Sequence, residues 1–215
     1  VLNTILGQVD EFEASELEKR TLIGEAKFLR GSYYFLLANL YAAPYEANKV
    51  NETLGVPLKL TEYVEDVYYS RAGLDEVYEQ ILKDLTDAAE CLKGIKQNTV
   101  YRAGEAAVYT MLSRVYLYMG NWEAALEACN KVENKGYGMV DLNTYEWGKE
   151  VDGYSLSYLI TSSPEMIFSN GSNVLPQLFM HDSYSNYRAF RVSDDLVQLF
   201  LNDPTDLRRN VFIRQ

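Results

Sequence analysis

The sequence has very few of the residues on which metal sites, catalytic triads and disulfide frameworks depend. It contains one histidine, His181, and two cysteines, Cys91 and Cys129. A zinc site or a Ser-His-Asp triad needs histidine beside specific partners, and neither cysteine has a CxxC or histidine partner at metal-ligand spacing. We therefore expect no metal and no cofactor. The two cysteines are expected to be small buried apolar residues, with a disulfide between them as the alternative.

The sequence also lacks long apolar runs and has few basic residues. No run of roughly 18 apolar residues occurs, so no segment is predicted to span a bilayer. Lysine plus arginine total 20 against 31 aspartate plus glutamate, which gives a formal net charge of −11. Because such a surface repels a phosphate backbone, we expect no nucleic-acid partner.

Tyrosine, in contrast, is abundant, with 18 of the 215 residues. A tyrosine ring can lie against a ligand or the core while its hydroxyl meets water or a polar partner. The tyrosines at helical spacing are predicted to lie in the core, and these are Tyr33, Tyr34, Tyr41, Tyr109 and Tyr116. Tyrosines in predicted loops are candidates for ligand contact.

One segment has the spacing of a tetratricopeptide repeat, a pair of packed helices. The small residues Ser113 and Ala125 stand where the two helices approach closely, and larger side chains fill the groove between them. The matching positions are Tyr109, Leu112, Ser113, Tyr116, Ala125 and Cys129.

An earlier copy of the repeat is split by a long insertion. Its first helix carries Tyr34, Leu37, Ala38 and Tyr41, and its second carries Ala88 and Leu92. Since 47 residues separate Tyr41 from Ala88 but only 9 separate Tyr116 from Ala125, about 38 residues are inserted between the two helices. Insertions in helical repeats form loops on one face, often the binding face.

The fold class predicted from these patterns is mainly all-α, a tetratricopeptide-like solenoid of helix pairs with an irregular loop and short-strand region toward the C-terminus. Gly24 and Gly31 are expected to allow close helix approach. Short strands are predicted at GVPLKL and EMIFS. The helical region is placed at 1–138, with the insertion at 43–70, and the irregular region at 139–215. Helices are predicted over about 1–10, 15–42, 74–93, 104–119, 122–135 and 194–202.

Ordered blocks of the sequence resemble the SusD/RagB family of glycan-binding lipoproteins on the outer membranes of Bacteroidetes. The resemblance implies capture of oligosaccharides or polysaccharides at the cell surface, without catalysis, and their delivery to a SusC-type TonB-dependent transporter. The blocks are GEAKFLRGSYYFLLANLYAAPY, GVPL, YSRAGLDEVYEQILKDLTDAAECL, YRAGEAAVYTMLSRVYLYMGNWEAALEACNKVENKGYGM, PEMIF and NDPTDLRR.

Both ends of the sequence look cut, so we expect a fragment of a longer parent. Val1, Ile5, Leu6 and Val9 lie on one helical face, which indicates a helix that starts upstream. Members of the resembling family carry an N-terminal lipidated cysteine, earlier helices and a longer C-terminal part. A membrane contact is thus expected only through a lipid anchor outside these residues.

Sugar recognition needs flat aromatic faces beside amides, carboxylates or arginine. The segment 178–191 mixes these groups without a helical or strand period, so we expect it to be a binding loop. The secondary candidates are Tyr45 and Tyr63 in the insertion and Trp147. The alternative is that these aromatics only pack the loops onto the helices. The predicted ligand contacts are His181, Asp182, Tyr184, Asn186, Tyr187 and Arg188.

Two other functions are compatible with parts of the sequence. A tetratricopeptide adaptor that binds a peptide or protein would use the helical groove, but uninterrupted repeats of about 34 residues are expected of it. A glycoside hydrolase needs two carboxyl groups about 5–9.5 Å apart. The adjacent acids Asp194 and Asp195 instead have the pattern of a helix first turn, so we expect no enzyme.

Overall fold

The chain forms a mainly helical structure, seen in a computed structural model that describes residues 1–133, 135–145, 150–151, 154–155, 161–170, 193–202 and 205–206. It divides into two compact units, Val1–Tyr137 and Gly138–Gln215. Among the described residues, no helix is long and apolar enough to cross a membrane. The helices of the first unit are α1 (Leu2–Gln8), α2 (Glu16–Tyr41), α3 (Leu74–Leu92), α4 (Glu105–Tyr118) and α5 (Trp122–Glu133), with 3-10 turns at Val9–Glu11 and Val50–Glu52.

The starts of α2 and α3 are fixed by hydrogen bonds between the residue before each helix and a glutamate in its first turn. Ser15 and Glu18 form a reciprocal capping box, in which the Glu18 N–H donates to Ser15 Oγ and the Ser15 N–H donates to Glu18 Oε2. The hydrogen bonds from Ser15 lower the pKa of the Glu18 carboxyl. At α3, the Gly73 N–H donates to Glu76 Oε2 at 2.9 Å. Both helices therefore begin where the sequence predicts.

The first helix pair, α2 and α3, runs antiparallel at very close range. A Cβ placed on Gly24 would lie 2.7 Å from Leu92 Cγ, and one on Gly31 would lie 3.1 Å from Leu85 Cγ. Each glycine costs the helix about 1 kcal/mol relative to alanine. The two glycines thus permit the close helix approach that the sequence predicts.

Helix α3 forms the centre of the first unit. It packs against α2 on one side and against α4 on the other. Its apolar residues recur at helical spacing and are buried from the first turn to the last. They include Leu74, Val77, Ile81, Leu85, Ala88 and Leu92.

The second pair, α4 and α5, confirms the tetratricopeptide spacing. Leu112 and Ala125 are buried between the two helices, and Ser113 Oγ lies 2.9 Å from Cys129 Sγ. Further along the antiparallel pair, Lys135 Nζ lies 2.8 Å from Glu105 Oε2.

The prediction that both cysteines are buried is wrong for Cys129, which is exposed. Ala125 and Ala128 of α5 are buried in the contact between α4 and α5. Cys129 follows Ala128 at the edge of this contact, where its side chain is exposed. Cys91 is half-buried, and burial raises the pKa of its thiol. Both cysteines are free, so the alternative of a disulfide is also wrong.

A buried ion pair joins α2 to α3. The Arg30 Nε and Nη2 atoms donate to the two carboxylate oxygens of Asp84 at 2.8 and 2.7 Å. The third nitrogen, Nη1, donates to Asn3 Oδ1 on α1 at 3.1 Å. Since the side chain of Asp84 is only 1% exposed, its charge depends on this bidentate partner.

The described part of the second unit contains a small hairpin and one helix. Strands β1 (Glu150–Val151) and β2 (Tyr154–Ser155) pair antiparallel, with Glu150 opposite Ser155. Helix α6 (Asp194–Leu201) begins after Ser193, whose Oγ accepts the Leu196 N–H at 3.3 Å. The two aspartates at its start are first-turn acids, as predicted.

Neither predicted strand is present. In GVPLKL, backbone pairing stops after two residues: the Gly55 N–H donates to the Ala72 carbonyl and the Ala72 N–H donates to the Val56 carbonyl. Further along, the Lys59 N–H donates to the Tyr34 hydroxyl instead of to a strand. In EMIFS, the Met166 N–H turns back to the Ser163 carbonyl. Local β-propensity therefore predicts strands where the backbone pairing that would sustain them is too short.

The prediction of core tyrosines is correct for Tyr34, which is buried, and wrong for Tyr33 and Tyr41, which are exposed. Tyr109 and Tyr116 are half-buried. The buried face of α2 runs through Phe28, Gly31, Phe35 and Ala38, and helical geometry turns residue 33 away from it.

We expect Arg30→Ala to destabilise the protein by about 3 to 5 kcal/mol, because it leaves the buried Asp84 carboxylate without its partner. Arg102→Ala is the matched control: Arg102 pairs bidentately with Glu25 but is half-exposed, so its loss is expected to cost less than about 1 kcal/mol. Urea denaturation measures both. Equal effects of the two substitutions would contradict the role given to the Arg30–Asp84 pair.

Gly24→Ala is expected to destabilise by about 1 to 3 kcal/mol despite the better helix propensity of alanine, because the methyl group meets Leu92 and Cys91. Gly7→Ala on α1 is the control. Its added Cβ meets only the movable carboxylate of Glu62, so it is expected to be neutral or stabilising. Thermal unfolding compares the two, and a stabilising Gly24→Ala would show that α2 and α3 do not need the close approach.

Candidate functional site

The insertion between α2 and α3 folds back onto the helices and carries a loop at residues 59–69, called here the 59–69 loop. Two side chains hold its first residue. The Tyr34 hydroxyl donates to the Lys59 carbonyl and accepts from the Lys59 N–H, both at 2.8 Å. Asn3 Nδ2 donates to the carbonyls of Lys59 and Thr61 at 2.8 and 3.1 Å. Burial raises the pKa of Tyr34, so its hydroxyl stays protonated and able to donate.

Arg71 holds the start of the same insertion. Its Nε donates to the Gly55 carbonyl at 2.6 Å, and its Nη2 donates to the carbonyls of Leu54 and Tyr41 at 2.9 and 3.2 Å. Next to it, the Gly55 N–H donates to the Ala72 carbonyl at 2.8 Å. The two ends of the insertion are therefore joined to each other at the base of the helix pair.

Tyr45 fixes the first part of the insertion onto α3. Its ring lies 4.7 Å from the ring of Tyr78, centroid to centroid, with the planes inclined at 58°. The ring of Tyr78 also meets Phe35 edge-on, at 6.3 Å. Tyr78 is buried, and burial raises the pKa of its phenol. Tyr45 therefore packs the insertion onto a helix, as the alternative to ligand contact predicts.

Lys59 closes the 59–69 loop with its ammonium group. Its Nζ donates to the Tyr69 hydroxyl at 2.6 Å and to Thr61 Oγ1 at 3.0 Å, and the Tyr69 hydroxyl donates to Glu65 Oε2 at 3.0 Å. The hydrogen bond to Tyr69 raises the pKa of Lys59. The loop is therefore closed on itself by its own side chains.

Two tyrosines of the 59–69 loop lie in solvent. Tyr63 is 66% exposed, and Tyr68 is fully exposed. An exposed ring on a loop that is held at its base provides a flat apolar surface with little ordering cost on binding. The loop offers this surface next to the hydroxyl and carboxylate groups of Thr61 and Glu65. Such a combination suits a polyhydroxylated ligand.

A groove of about 410 Å³ lies beside this loop, between α1, α2 and the insertion. The polar atoms of Asn3, Arg30 and Tyr34 on its wall are directed to partners within the protein. Its free surface is thus mostly apolar. The lining residues are Val1, Leu2, Asn3, Arg30, Tyr33, Tyr34, Leu37, Pro57 and Lys59.

Of the predicted site residues, the structure describes two, Tyr45 and Tyr63. It places Tyr45 against α3 and Tyr63 in solvent. The others lie outside the described residues, and these are Trp147, His181, Asp182, Tyr184, Asn186, Tyr187 and Arg188.

The described residues contain no group of three or more histidine, cysteine, aspartate or glutamate side chains that could hold a metal ion. The adjacent acids of the 59–69 loop are Glu65 and Asp66. Glu65 accepts the Tyr69 hydroxyl and lies 3.6 Å from Lys59 Nζ, so it serves to close the loop.

Sequence reasoning missed the residues that hold the loop. Lys59 and Arg71 lie within GVPLKL and YSRAGLDEVYEQILKDLTDAAECL, but neither residue is assigned a role there, and their partners lie up to 30 positions away in the chain. Asn3 stands 56 residues from the carbonyl that it binds. The sequence does predict the insertion itself, because its length departs from the repeat spacing and it is rich in tyrosine.

A family model described as "Starch-binding associating with outer membrane" matches residues 1–117, which include α1, α2, the insertion, α3 and most of α4. The chain belongs to the SusD-like family. This result confirms the resemblance seen in the sequence, and the tetratricopeptide-like helix pairs of this SusD-like chain fit the fold predicted from it.

Solved structures of SusD-like proteins share the fold. A SusD superfamily protein from Bacteroides thetaiotaomicron is 26% identical, with a TM-score of 0.77 over 97% of this chain and 47% of that one. A candidate sugar-binding protein from Bacteroides vulgatus is 28% identical, with a TM-score of 0.75 over 97% of this chain and 48% of that one. A SusD superfamily protein from Bacteroides fragilis is 30% identical, with a TM-score of 0.57 over 65% of this chain and 32% of that one.

The SusD-like chain spans about half the length of the first two of these structures. It has no match among the curated proteins.

Tyr34→Phe is expected to loosen the 59–69 loop, because it removes the partner of the Lys59 N–H and one partner of the Lys59 carbonyl. We expect a loss of about 1 to 3 kcal/mol and faster tryptic cleavage after Lys59. Tyr33→Phe, which changes the exposed neighbour, is the control. Limited proteolysis followed by mass spectrometry gives the rates, and equal cleavage of both variants would contradict the clamping role of Tyr34.

Proposed function

We propose that this chain is part of a cell-surface protein that binds oligosaccharides or polysaccharides without cleaving them. The observation that carries the proposal is the match of residues 1–117 to a family described as starch-binding and associated with the outer membrane. The proposal includes delivery of the glycan to a SusC-type TonB-dependent transporter and attachment to the outer membrane as a surface lipoprotein, through an anchor outside these residues.

The 59–69 loop supports glycan binding by its chemistry. A pyranose ring has apolar C–H faces and a rim of hydroxyls, and it is recognised by an exposed aromatic face beside hydrogen-bonding groups. Tyr63 and Tyr68 supply the exposed rings. Because Lys59 is clamped by Tyr34 and binds Tyr69, the two ends of the loop are fixed before the ligand arrives, which lowers the cost of ordering the loop on binding.

We propose that the remaining ligand contacts come from the segment 178–191. The mixture of aromatic rings with an imidazole, a carboxylate, an amide and a guanidinium there is what sugar hydroxyls require. Trp147 and Tyr45 are secondary candidates in this proposal, although Tyr45 already packs against Tyr78. The proposed contacts are His181, Asp182, Tyr184, Asn186, Tyr187 and Arg188.

The position of the insertion favours this function over a peptide-binding adaptor. An adaptor uses the continuous concave surface of uninterrupted repeats. Here the first helix pair is interrupted between Tyr41 and Leu74, and the inserted residues are tied to α1, α2 and α3 by hydrogen bonds and ring contacts. The repeats therefore act as a frame for the insertion.

We expect the full-length protein to bind at least one polysaccharide of a panel that includes starch, and Tyr63→Ala to weaken that binding about tenfold, which corresponds to about 1.4 kcal/mol. Tyr101→Ala is the matched control, because Tyr101 is similarly exposed but lies outside the insertion. Isothermal titration calorimetry or affinity electrophoresis measures the change.

Tight binding of a peptide with no binding of any glycan would overturn the proposed function. Release of reducing sugar by the purified protein would overturn its non-catalytic character. Full glycan affinity in Tyr63→Ala would remove the 59–69 loop from the site while leaving the segment 178–191 to be tested by Tyr184→Ala and Tyr187→Ala.

A further inference from the structure

The side chain of Asn3 on α1 connects the helix core to the 59–69 loop. Its Oδ1 accepts a hydrogen bond from Arg30 Nη1 at 3.1 Å. Its Nδ2 donates to the carbonyls of Lys59 and Thr61 at 2.8 and 3.1 Å. Both N–H groups and the oxygen of this amide are therefore engaged within the protein, so Asn3 can act on a ligand only through the loop that it holds.

Arg30 determines which way the Asn3 amide faces. An amide has a donor end and an acceptor end, whereas a guanidinium has donors only, so the oxygen of Asn3 faces Arg30 and the nitrogen faces the loop. Arg30 is itself held in place, because its other two nitrogens bind the buried carboxylate of Asp84. The amide nitrogen is thus directed at the loop carbonyls before any ligand is present.

The bond to Thr61 fixes the loop closer to an exposed ring than Tyr34 does. Tyr34 binds the backbone of Lys59. Asn3 also binds the carbonyl of Thr61, which stands two residues before the exposed Tyr63. Ordering the backbone of one residue lowers a binding constant on the order of tenfold, so a segment that is ordered beforehand binds correspondingly more tightly.

Helix α1 meets the loop a second time, at Gly7. A Cβ placed on Gly7 would lie 2.6 Å from Glu62 Oε2, so the half-buried Glu62 side chain lies directly against this helix. Glu62 comes between Thr61 and Tyr63 in the chain. Both contacts with α1 are therefore made immediately before the exposed ring.

We propose that Asn3 is a positioning residue of the glycan site, which holds the Lys59 and Thr61 carbonyls and thereby orders the backbone that leads into Tyr63. The inference rests on the proposed glycan-binding function and deepens it, because it assigns part of the affinity to a helix outside the loop. The direction of the amide, set by Arg30, is what makes the contact specific to asparagine.

Asn3→Asp in the full-length protein tests this role. The new carboxylate still accepts from Arg30, but it has no N–H for the two loop carbonyls and repels them. We expect the affinity for the polysaccharides that the wild-type protein binds, from the panel that includes starch, to fall about tenfold in affinity electrophoresis. Asn3→Ala removes the same donors without adding a charge, and it is expected to give the same loss.

Gln97→Glu is the matched control. Gln97 Nε2 donates to the Ala103 carbonyl at 2.7 Å, so this substitution also removes an amide donor from a loop carbonyl, but in the connection between α3 and α4. Its glycan affinity is expected to stay within about twofold of the wild-type value. An equal loss in both variants would overturn the proposal, and circular dichroism confirms that each variant is folded.

A second background separates positioning from a general loss of structure. If Asn3 acts through Tyr63, then adding Asn3→Asp to a Tyr63→Ala protein is expected to weaken binding by less than about twofold more. A general loss of structure lowers the affinity by the same factor in both backgrounds. Additive losses would therefore overturn the proposal.

Hydrogen–deuterium exchange gives a readout that needs no ligand. Peptides that cover residues 60–63 are expected to exchange faster in Asn3→Asp than in the wild-type protein, while peptides of α3 exchange at equal rates. Unchanged glycan affinity in Asn3→Asp would overturn the role of Asn3 at any exchange rate, and would leave the proposed function standing. Failure of the wild-type protein to bind any polysaccharide of the panel would overturn the proposed function, and the role of Asn3 with it.

Discussion

The bidentate ion pair between Arg30 and Asp84 is the contact on which the rest of the first unit depends. It is buried between the two helices of the interrupted repeat, and burying two charges is favourable only with good geometry and further hydrogen bonds. Arg30 meets both conditions, because its third nitrogen reaches Asn3 of α1. Asn3 in turn holds the carbonyls at the start of the 59–69 loop. One connected polar network therefore positions α1, α2, α3 and the insertion relative to each other.

The insertion keeps its shape without forming a sheet, because side chains from α2 and from the residues just before α3 satisfy part of its backbone. Arg71 binds three carbonyls, and the Tyr34 hydroxyl satisfies both the N–H and the C=O of Lys59. Backbone polar groups must find partners when they are buried, and here those partners are side chains of fixed direction. This arrangement explains how the 59–69 loop is anchored at Lys59 without a β-ladder.

The sequence predicts the helices well because their signals are local. Apolar spacing places α2 and α3 within one or two residues of their observed ends, and Gly24 and Gly31 indicate the close approach. What it does not predict depends on contacts between distant residues. Arg30 and Asp84 are 54 positions apart. In GVPLKL the Lys59 N–H binds the hydroxyl of Tyr34, 25 positions away, and this contact has no signal in the local sequence. Of the site, the sequence predicts the insertion with Tyr45 and Tyr63, whereas Lys59 and Asn3, which shape the loop, carry no signal of their own. The main predicted contacts, in the segment 178–191, lie outside the described residues.

The two exposed surfaces of the first unit differ in a way that separates packing from recognition. In the groove between α1, α2 and the insertion the free surface is mostly apolar, and the polar atoms on its wall, those of Asn3 and Tyr34, already have partners. Such a surface gains free energy by excluding water and offers little to distinguish one hydroxyl from another. On the 59–69 loop the exposed rings stand next to hydroxyl and carboxylate groups that remain near water. A ligand that carries many hydroxyls is discriminated by groups of the second kind, whereas an apolar helix is held by surfaces of the first. The two surfaces therefore differ in what each can distinguish: the groove selects for apolar area, and the loop selects for a ring with a rim of hydroxyls.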